Sequence, residues 1–226
     1  YLQYHDKARA CPARAIKAED QVADKFEAKQ FKSFSVELDG ISKRTMDEHY
    51  TLYQGYVNKT NEIRGKLESV DLSTANQTFS DVRALAVDLS FALGGLKNHE
   101  LYFSNLGGKG GPATGRVAEL IQRDFGSFEG FQAQMKAYGL GGRGWVWLAY
   151  DYMDDRLHNY IGDAQNTYPI WDATPVLGLD VYEHAYYLDY GTKRAAYIDA
   201  FFRNVDWDDV NRRLAAVEKA AQARKG

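Results

Sequence analysis

Hydrophobic and polar positions in the first half of the chain follow the spacing of two long helices. After Gly40 breaks the chain, a helical pattern begins at Ser42 and continues to about Leu67. A second helical pattern spans about Ser80 to Leu106, and the polar segment ESVDLSTANQTF joins the two. Two long helices with a short connection of this kind predict an antiparallel helical hairpin.

The N-terminal residues precede this hairpin and have a different composition. Residues 1–12 are polar and end in Pro12, so we expect a tail there. From Pro12 to about Gln30 the chain is rich in helix-forming residues, with Ile16, Val22 and Phe26 roughly on one side. We therefore predict an N-terminal extension over residues 1–30 that is partly helical.

The second half of the chain mixes helical and strand patterns. GRVAELIQRDFG and SFEGFQAQMKAYG predict helices, and GWVWLAYDYM with RLHNYIGD predicts a β-hairpin that turns at Asp154 and Asp155. PVLGLD predicts a short buried strand, and helices follow to the C-terminus. The predicted fold class is α+β. We expect a helical hairpin domain over 31–106, a linker over 107–115, and an α+β domain over 116–226 with a small three-stranded antiparallel sheet.

The glycine-rich segment GGKGGPATG, with Lys109 at its centre, invites comparison with phosphate-binding loops. It lacks the spacing of the Walker motif, and it does not connect a strand to a helix in the order that such loops require. We therefore interpret it as the connection between the two halves of the chain.

Composition narrows the class of protein. Over 226 residues the hydrophobic content is 45%, the charged content is 26%, and the formal net charge of -3 comes from scattered charges of both signs. We therefore expect neither nucleic acid nor an anionic membrane surface as a partner, and no apolar run approaches the roughly 18 residues that span a bilayer. Cys11 is the only cysteine, which excludes an intramolecular disulfide. The chain begins at Tyr1, so both a cytoplasmic and an exported location are compatible with it.

Three histidines and an aspartate fall on separate predicted elements. His49 lies on the first long helix, His99 on the second, and His184 follows the strand that ends at Asp180. Three imidazoles and one carboxylate brought together from different elements can enclose a transition metal with an open position. The alternative is structural, because single helical histidines are usually packed or exposed and Asp180 with Glu183 has the spacing of a helix capping box. The pattern by itself is compatible with both interpretations.

Four segments resemble the iron/manganese superoxide dismutases. DVYEHAYYLDYGTKRAAYIDAFFRNVDW is similar to the C-terminal signature of that family, and GRGWVWL to its Gly-Ser-Gly-Trp-x-Trp-Leu motif. NHELYFSNLGGKGGPATG and ISKRTMDEHYTLYQGYVNKTN resemble the stretches that carry its helical ligands. The segments occur in the family's order, and together the resemblance covers about residues 36 to 215.

The resemblance implies the fold of that family, one Fe or Mn ion per subunit, and conversion of superoxide to oxygen and hydrogen peroxide. It implies Tyr56 as a catalytic gateway that relays protons, and Arg194 as a basic residue at the substrate funnel, where a surface salt bridge is the structural alternative. It also implies a homodimer, or a tetramer, while His158 has no counterpart. The implied metal ligands are His49, His99, Asp180 and His184, and the implied residues around the ion or at the dimer interface are Tyr102, Trp145, Tyr182, Glu183 and Tyr187.

The chain departs from the family at a glutamine that hydrogen-bonds the solvent on the ion. In the family pattern this glutamine comes from one of two positions, and in this chain the matching residues are Gly95 and Gly141. The sequence therefore predicts that this hydrogen bond is missing or is supplied from elsewhere, with Gln54, then Tyr53, as possible substitutes. The missing glutamine keeps two other functions open, an oxygenase- or peroxidase-like metalloenzyme and a non-catalytic binding or structural module.

A second departure concerns the spacing along the first helix. Tyr56 follows His49 by seven residues, one fewer than in the family pattern. Seven residues complete nearly two helical turns, so Tyr56 is still expected on the same face as His49. The deletion leaves Leu52 or Tyr53 where the family has an interface histidine.

Overall fold

Two long helices form the N-terminal half of the computed structural model, which describes residues 24–166 and 170–225. Helix α1 spans Lys43–Leu67 and helix α2 spans Asp81–Ser104, and the two pack against each other. The side chains of Ser42 and Ser80 each accept a hydrogen bond from a backbone N–H in the first turn of the helix that follows. The predicted hairpin is confirmed, with both starts set by serine caps.

The segment from residue 24 to Phe31 is extended, and the predicted N-terminal helix is therefore wrong over residues 24–30. Its backbone is held by side chains of α1. Asn61 accepts from Phe26 N at 2.9 Å and donates to Phe26 O at 2.8 Å, and the Tyr53 hydroxyl accepts from Lys29 N at 3.0 Å. These contacts take the place of internal helical bonds, so tertiary structure overrides local propensity. The earlier part of the predicted helix, with Cys11 and His5, lies outside the described residues.

We expect Tyr53→Phe to weaken the attachment of this segment. The Tyr53 hydroxyl accepts from Lys29 N and donates to Glu100 Oε1 at 3.0 Å, so its removal eliminates two hydrogen bonds at a partly buried position. The expected loss in the free energy of unfolding is about 1–2 kcal/mol, measured by urea denaturation. Tyr138→Phe is the matched control, because the Tyr138 hydroxyl makes no hydrogen bond within the described residues. Equal stabilities of the two variants would contradict the prediction.

The sheet has three antiparallel strands, as predicted. Strands β1 (Trp145–Asp151) and β2 (Arg156–Gly162) form the hairpin, and β3 (Ala173–Asp180) pairs with the other edge of β1, giving the order β2-β1-β3. Trp145 is opposite Asp180 in this register. The first residue of the central strand therefore lies beside the last residue of β3.

Five further helices lie in the described part of the chain, and some of them pack against the sheet. Helix α2 packs directly against β3, which brings the helix carrying His99 next to the strand that ends at Asp180. A one-turn 3₁₀ helix at Glu183–Ala185 carries His184. In the described residues, no helix combines the length and apolar character needed to cross a membrane. The helices are α3 (Gly115–Phe125), α4 (Phe128–Gly141), α5 (Tyr187–Tyr190), α6 (Arg194–Arg203) and α7 (Trp207–Lys225).

The glycine-rich segment packs on the junction between α6 and α7. The N–H groups of Gly107 and Gly108 donate to Asn204 O at 3.0 and 3.1 Å, and Gly110 N donates to Val205 O at 3.1 Å. Gly110 has a φ of 58°, and a Cβ there would collide with the backbone of Arg203. These N–H groups are bonded to the protein itself, which agrees with a connecting loop and not with a phosphate cradle.

Candidate metal centre

The three histidines and the aspartate singled out in the sequence lie together. Their potential ligand atoms are all within 4.8 Å of one another, and His49, His99 and Asp180 are buried. Helix α1 supplies His49, α2 supplies His99, and the end of β3 supplies Asp180. The 3₁₀ turn supplies His184, whose side chain is 30% exposed and forms the open side of the cluster.

The three imidazoles converge on one carboxylate oxygen. Asp180 Oδ2 is 3.1 Å from His49 Nε2, 3.1 Å from His184 Nε2 and 3.8 Å from His99 Nε2. Nitrogen and oxygen ligands bind a first-row ion such as zinc at about 2.0–2.2 Å, which places neighbouring ligand atoms about 3–4 Å apart. The three separations from Asp180 Oδ2 fall in this range, so the cluster could hold one ion.

His99 provides the strongest indication that a cation belongs here. Its Nδ1 lies 2.6 Å from the carbonyl oxygen of Gly95, which can only accept, so Nδ1 carries the proton. Its Nε2 is then a lone pair, fully buried, with no hydrogen-bond partner among the described residues. This lone pair faces the carboxylate of Asp180, an arrangement that is unfavourable without a positive ion between them. The donor set therefore fits a bound metal.

The electrostatic environment keeps His49, His99 and Asp180 in the forms that bind metals. Burial lowers the pKa of His99 to about 3, with His49 adding to the effect. Burial also lowers the pKa of His49 despite the neighbouring Asp180 carboxylate. Burial alone would raise the pKa of Asp180, but His184 and His49 lower it overall. Neutral imidazoles and an ionised carboxylate are the protonation states that metal coordination requires.

The capping box that the sequence allowed for Asp180 and Glu183 does not form, because the residue before the 3₁₀ helix is Tyr182 and no side chain caps this helix. Asp180 instead closes a local turn. Its Oδ1 accepts from Tyr182 N at 2.9 Å, which stabilises the turn into the 3₁₀ helix, while Oδ2 faces the histidines. Its carbonyl oxygen accepts a hydrogen bond from the buried Tyr197 hydroxyl at 2.7 Å. The turn thus orients the carboxylate toward the cluster through Oδ1, and Tyr197 holds the backbone of the same residue.

Four of the aromatic residues singled out in the sequence surround the imidazoles. Trp145 and Tyr102 are fully buried, while Tyr56 and Tyr182 are half-buried. Together they limit the access of water to the cluster. The ring pairs and their centroid separations are Tyr102–His49 at 5.1 Å, Trp145–His99 at 5.3 Å, Tyr56–His99 at 5.2 Å and Tyr182–His184 at 5.2 Å.

Gln165 is a site residue that the sequence reasoning missed. It follows β2, is 4% exposed, and donates from Nε2 to the Tyr56 hydroxyl at 3.3 Å. Its Oε1 accepts from Trp145 Nε1 at 3.0 Å and from Asn98 Nδ2 at 3.4 Å. Gly95 and Gly141 supply no side chain, and a glutamine from another part of the chain lies beside Tyr56 instead. The Trp145 bond also assigns the amide orientation, because the indole nitrogen can only donate.

The positions that the sequence predicted for the glutamine or its substitutes have other roles. A Cβ on Gly95 would lie 2.5 Å from the Tyr56 ring, so this space is filled by Tyr56 and is not vacant. Gly141 is exposed at the end of α4, and a Cβ there would meet no described residue within 4 Å. Gln54 is exposed, and Tyr53 is engaged with the N-terminal segment. Neither substitute reaches the cluster.

Arg194 is half-buried and makes no salt bridge with any described carboxylate. Its guanidinium donates to the Tyr186 hydroxyl at 3.0 Å and to the carbonyl oxygens of Gly142 at 2.7 Å and Gly139 at 3.3 Å. The alternative of a surface salt bridge is therefore wrong among the described residues, where no carboxylate neutralises the positive charge.

The remaining predicted residues lie on the surface. Glu183 is exposed, and its side chain makes no hydrogen bond within the described residues. Tyr187 is 52% exposed. His158 lies on the hairpin, where its Nε2 is 2.9 Å from Asp154 Oδ2, and it is not part of the cluster.

Comparison with known proteins agrees with this geometry. The family model described as iron/manganese superoxide dismutases, alpha-hairpin domain, matches residues 38–107, and the model for the C-terminal domain of the same family matches residues 113–213. The first contains His49, Tyr56 and His99, and the second contains Gln165, Asp180 and His184. The two matches thus include every member of the cluster.

Similar proteins carry both metals in their names. Superoxide dismutase (Fe) of Aquifex aeolicus is 42% identical over 194 residues, covering 83% of this chain and 91% of the relative. Superoxide dismutase (Fe) of Cupriavidus metallidurans is 38% identical over 195 residues, covering 84% and 97%. Superoxide dismutase (Mn) of Mycobacterium avium is 37% identical over 187 residues, covering 80% and 88%.

Proposed function

We propose, since this chain belongs to the iron/manganese superoxide dismutase family, that its ion is held by His49, His99, Asp180 and His184. The chain is a superoxide dismutase, an oxidoreductase that converts superoxide to oxygen and hydrogen peroxide with iron or manganese as cofactor. The oxygenase- or peroxidase-like and non-catalytic alternatives are not favoured. The observation that carries the assignment of the ligands is the buried, unpartnered Nε2 of His99, which faces a carboxylate.

The ion, when bound, supplies one-electron cycling between its +3 and +2 states. The protein supplies a largely buried site and protons, since two superoxide ions consume two protons as they form oxygen and hydrogen peroxide. The Tyr56 hydroxyl is proposed to hold a proton and donate it during the reaction. Burial raises the pKa of its hydroxyl, so the proton is retained at neutral pH, and Gln165 Nε2 donates to that hydroxyl oxygen. The Tyr56 hydroxyl is then free to donate its own proton elsewhere.

We assign Gln165 the role of the glutamine that appeared to be missing. Trp145 and Asn98 both donate to its Oε1, so its Nε2 is directed toward Tyr56. Hydrogen bonds around a metal site orient its groups and tune the basicity of ligands and bound solvent. Gln165 would act in this way on the side of the site that Tyr56 occupies.

Arg194 is proposed to attract the anionic substrate. Its charge is not compensated by a described carboxylate, and its position is fixed by two carbonyl groups and the Tyr186 hydroxyl. A fixed positive charge raises the local concentration of a small anion.

Metal analysis combined with a superoxide assay tests the proposed function. The protein, produced with iron or with manganese, is expected to bind one ion per chain and to consume superoxide while releasing oxygen and hydrogen peroxide. A metal-free protein would contradict the ligand assignment. A metal-loaded protein without dismutation would instead indicate a different reaction at the same site.

A homodimer with Glu183 and Tyr187 at its interface is the expected assembly. Both side chains are exposed beside the cluster, and a two-fold interface uses the same surface on each subunit. Light scattering at micromolar concentration is expected to give twice the 25.6 kDa chain mass. Glu183→Ala should shift this mass toward the monomer, while Glu129→Ala, on an exposed position of α4, should not. A monomeric parent protein would contradict the prediction.

A further inference from the structure

Gln165 reaches the site because its loop lies unusually close to α2. A Cβ added to Gly94 would be 2.9 Å from the carbonyl carbon of Gln165 and closer still to its oxygen. Gly94 has no positive φ, and it lies inside a regular helix where propensity favours alanine over glycine. Glycine is therefore needed at this position because it leaves space for the loop. An unusual backbone conformation is not the reason.

Two neighbours of Gly94 on the same face of α2 hold the loop in place. Asn98 Nδ2 donates to the backbone oxygen of Gln165 at 3.3 Å, and the Ser90 hydroxyl accepts from Asn166 Nδ2 at 2.6 Å. Residues four apart on a helix lie above one another, so Ser90, Gly94 and Asn98 form one continuous row. Residues 165 and 166 pack against this row, whose last member, Asn98, directly precedes His99.

The next residue, Gly95, leaves space for Tyr56, whose hydroxyl accepts the hydrogen bond from the Gln165 side chain. A Cβ on Gly95 would collide with the Tyr56 ring, just as a Cβ on Gly94 would collide with the Gln165 backbone. Gln165 and Tyr56 are 109 residues apart in the sequence. Two consecutive glycines on α2 thus allow Tyr56 of α1 to meet Gln165 of the loop after β2.

We propose that Gly94 is a positioning residue for the reaction, because its missing side chain lets the loop approach α2 closely enough for the Gln165 amide to reach Tyr56. The inference rests on the role proposed for Gln165. The bond from Gln165 Nε2 to the Tyr56 hydroxyl is 3.3 Å long, close to the upper limit for a hydrogen bond. A retreat of the loop by about half an ångström lengthens it beyond 3.6 Å, where no hydrogen bond remains.

The test compares Gly94→Ala with Gln165→Ala in the metal-loaded enzyme. Three quantities are measured: kcat/KM for superoxide, the reduction potential of the bound ion, and hydrogen exchange of the amides of residues 163–166. Gln165→Ala is expected to lower kcat/KM by roughly 10–100-fold. Gly94→Ala should lower it by a factor that agrees with that of Gln165→Ala to within about threefold. The potential should shift in the same direction, and exchange in the loop should be faster.

Two further variants make the result specific. In the Gln165→Ala background, Gly94→Ala should cause no further loss, because residues that act through one another are not additive. Gly65→Ala is the matched control, since Gly65 is an exposed glycine inside α1 where a Cβ meets no described residue within 4 Å. It should leave all three quantities unchanged. If Gly94→Ala fails to fold, Asn166→Ala replaces it and should give a smaller change in the same direction.

Three outcomes would overturn the inference, and they are distinguishable. The first outcome is a clear defect in Gln165→Ala together with a parental rate and potential in Gly94→Ala, or in Asn166→Ala where that variant is used. It would show that the loop tolerates the change. An equal Gly94→Ala defect in the presence and absence of Gln165 would show that the glycine acts through something else. A parental rate in Gln165→Ala would remove the role of Gln165 itself, and the inference with it.

Discussion

A His99→Ala variant is expected to retain little metal and to lose superoxide dismutation by well over 100-fold. Loss of an outer hydrogen-bond partner at a metal site typically costs about 10–100-fold, and loss of a ligand should exceed that. His99 is fully buried, and its Nε2 has no other partner in the described residues. No neighbouring side chain is placed to replace it, since the surrounding positions are filled by Tyr56 and Trp145.

Three measurements check this expectation. Metal content and superoxide consumption report the site directly, and circular dichroism reports whether the helices persist. The parent protein should also lose thermal stability when a chelator removes its ion, because a ligand that binds only the folded state stabilises it. The His99→Ala variant should not respond to the chelator. His99→Gln, which preserves more of the side-chain volume, serves if the alanine variant does not fold.

His158→Ala is the matched control for this experiment. His158 lies on the hairpin, is 38% exposed, and pairs with Asp154 away from the cluster. It should bind one ion, dismutate superoxide and respond to the chelator as the parent does. A His99→Ala protein that binds a full equivalent of metal and keeps the parental rate would show that the ligand assignment is wrong.

The two long helices could be predicted because local sequence determines them. Each starts at a serine whose side chain accepts a hydrogen bond from the first turn, and both predicted starts agree with the structure to within one residue. The strand ending at Asp180 and the β-hairpin were likewise visible as short apolar runs between turn residues. Here local propensity and tertiary structure favour the same conformation.

The extended N-terminal segment was not predictable in the same way. Residues 24–30 are helix formers, but their backbone groups are satisfied by Asn61, Tyr53 and Arg64 from α1. These partners lie 24 to 40 residues further along the chain. Propensity describes only the local alternatives, and it carries no information about side chains that arrive from another element.

The residues of the site differ in the same way in how far the sequence predicts them. The proposed ligands could be identified because they belong to motifs with characteristic neighbours in the sequence. Gln165 belongs to no such motif, since it lies in an irregular loop after β2 and meets its partners Tyr56 and Trp145 only through the fold. Its contact with α2 further depends on the small size of Gly94, which the sequence shows only as one of two adjacent glycines.

Gln165→Ala is expected to reduce kcat/KM for superoxide by about 10–100-fold, without removing the metal. The four ligands do not depend on Gln165 for any hydrogen bond, so metal content should remain at one ion per chain. The change removes the donor to the Tyr56 hydroxyl and leaves Trp145 Nε1 without its acceptor in a buried position. An unpaired buried polar group costs about 1–3 kcal/mol, so stability should fall as well.

The reduction potential of the bound ion separates a role in the reaction from a role in packing. A hydrogen bond between neutral groups, such as the Gln165 amide and the Tyr56 hydroxyl, contributes about 0.5–1.5 kcal/mol. A change of that size in the site should shift the potential and the pH dependence of the rate. A purely structural glutamine would lower stability and leave both unchanged. Gln54→Ala is the control, because Gln54 is exposed on α1 and has no contact with the cluster. If Gln165→Ala matches it in rate, potential and pH profile, Tyr56 takes part in proton transfer without the amide, and the assignment of Gln165 is wrong.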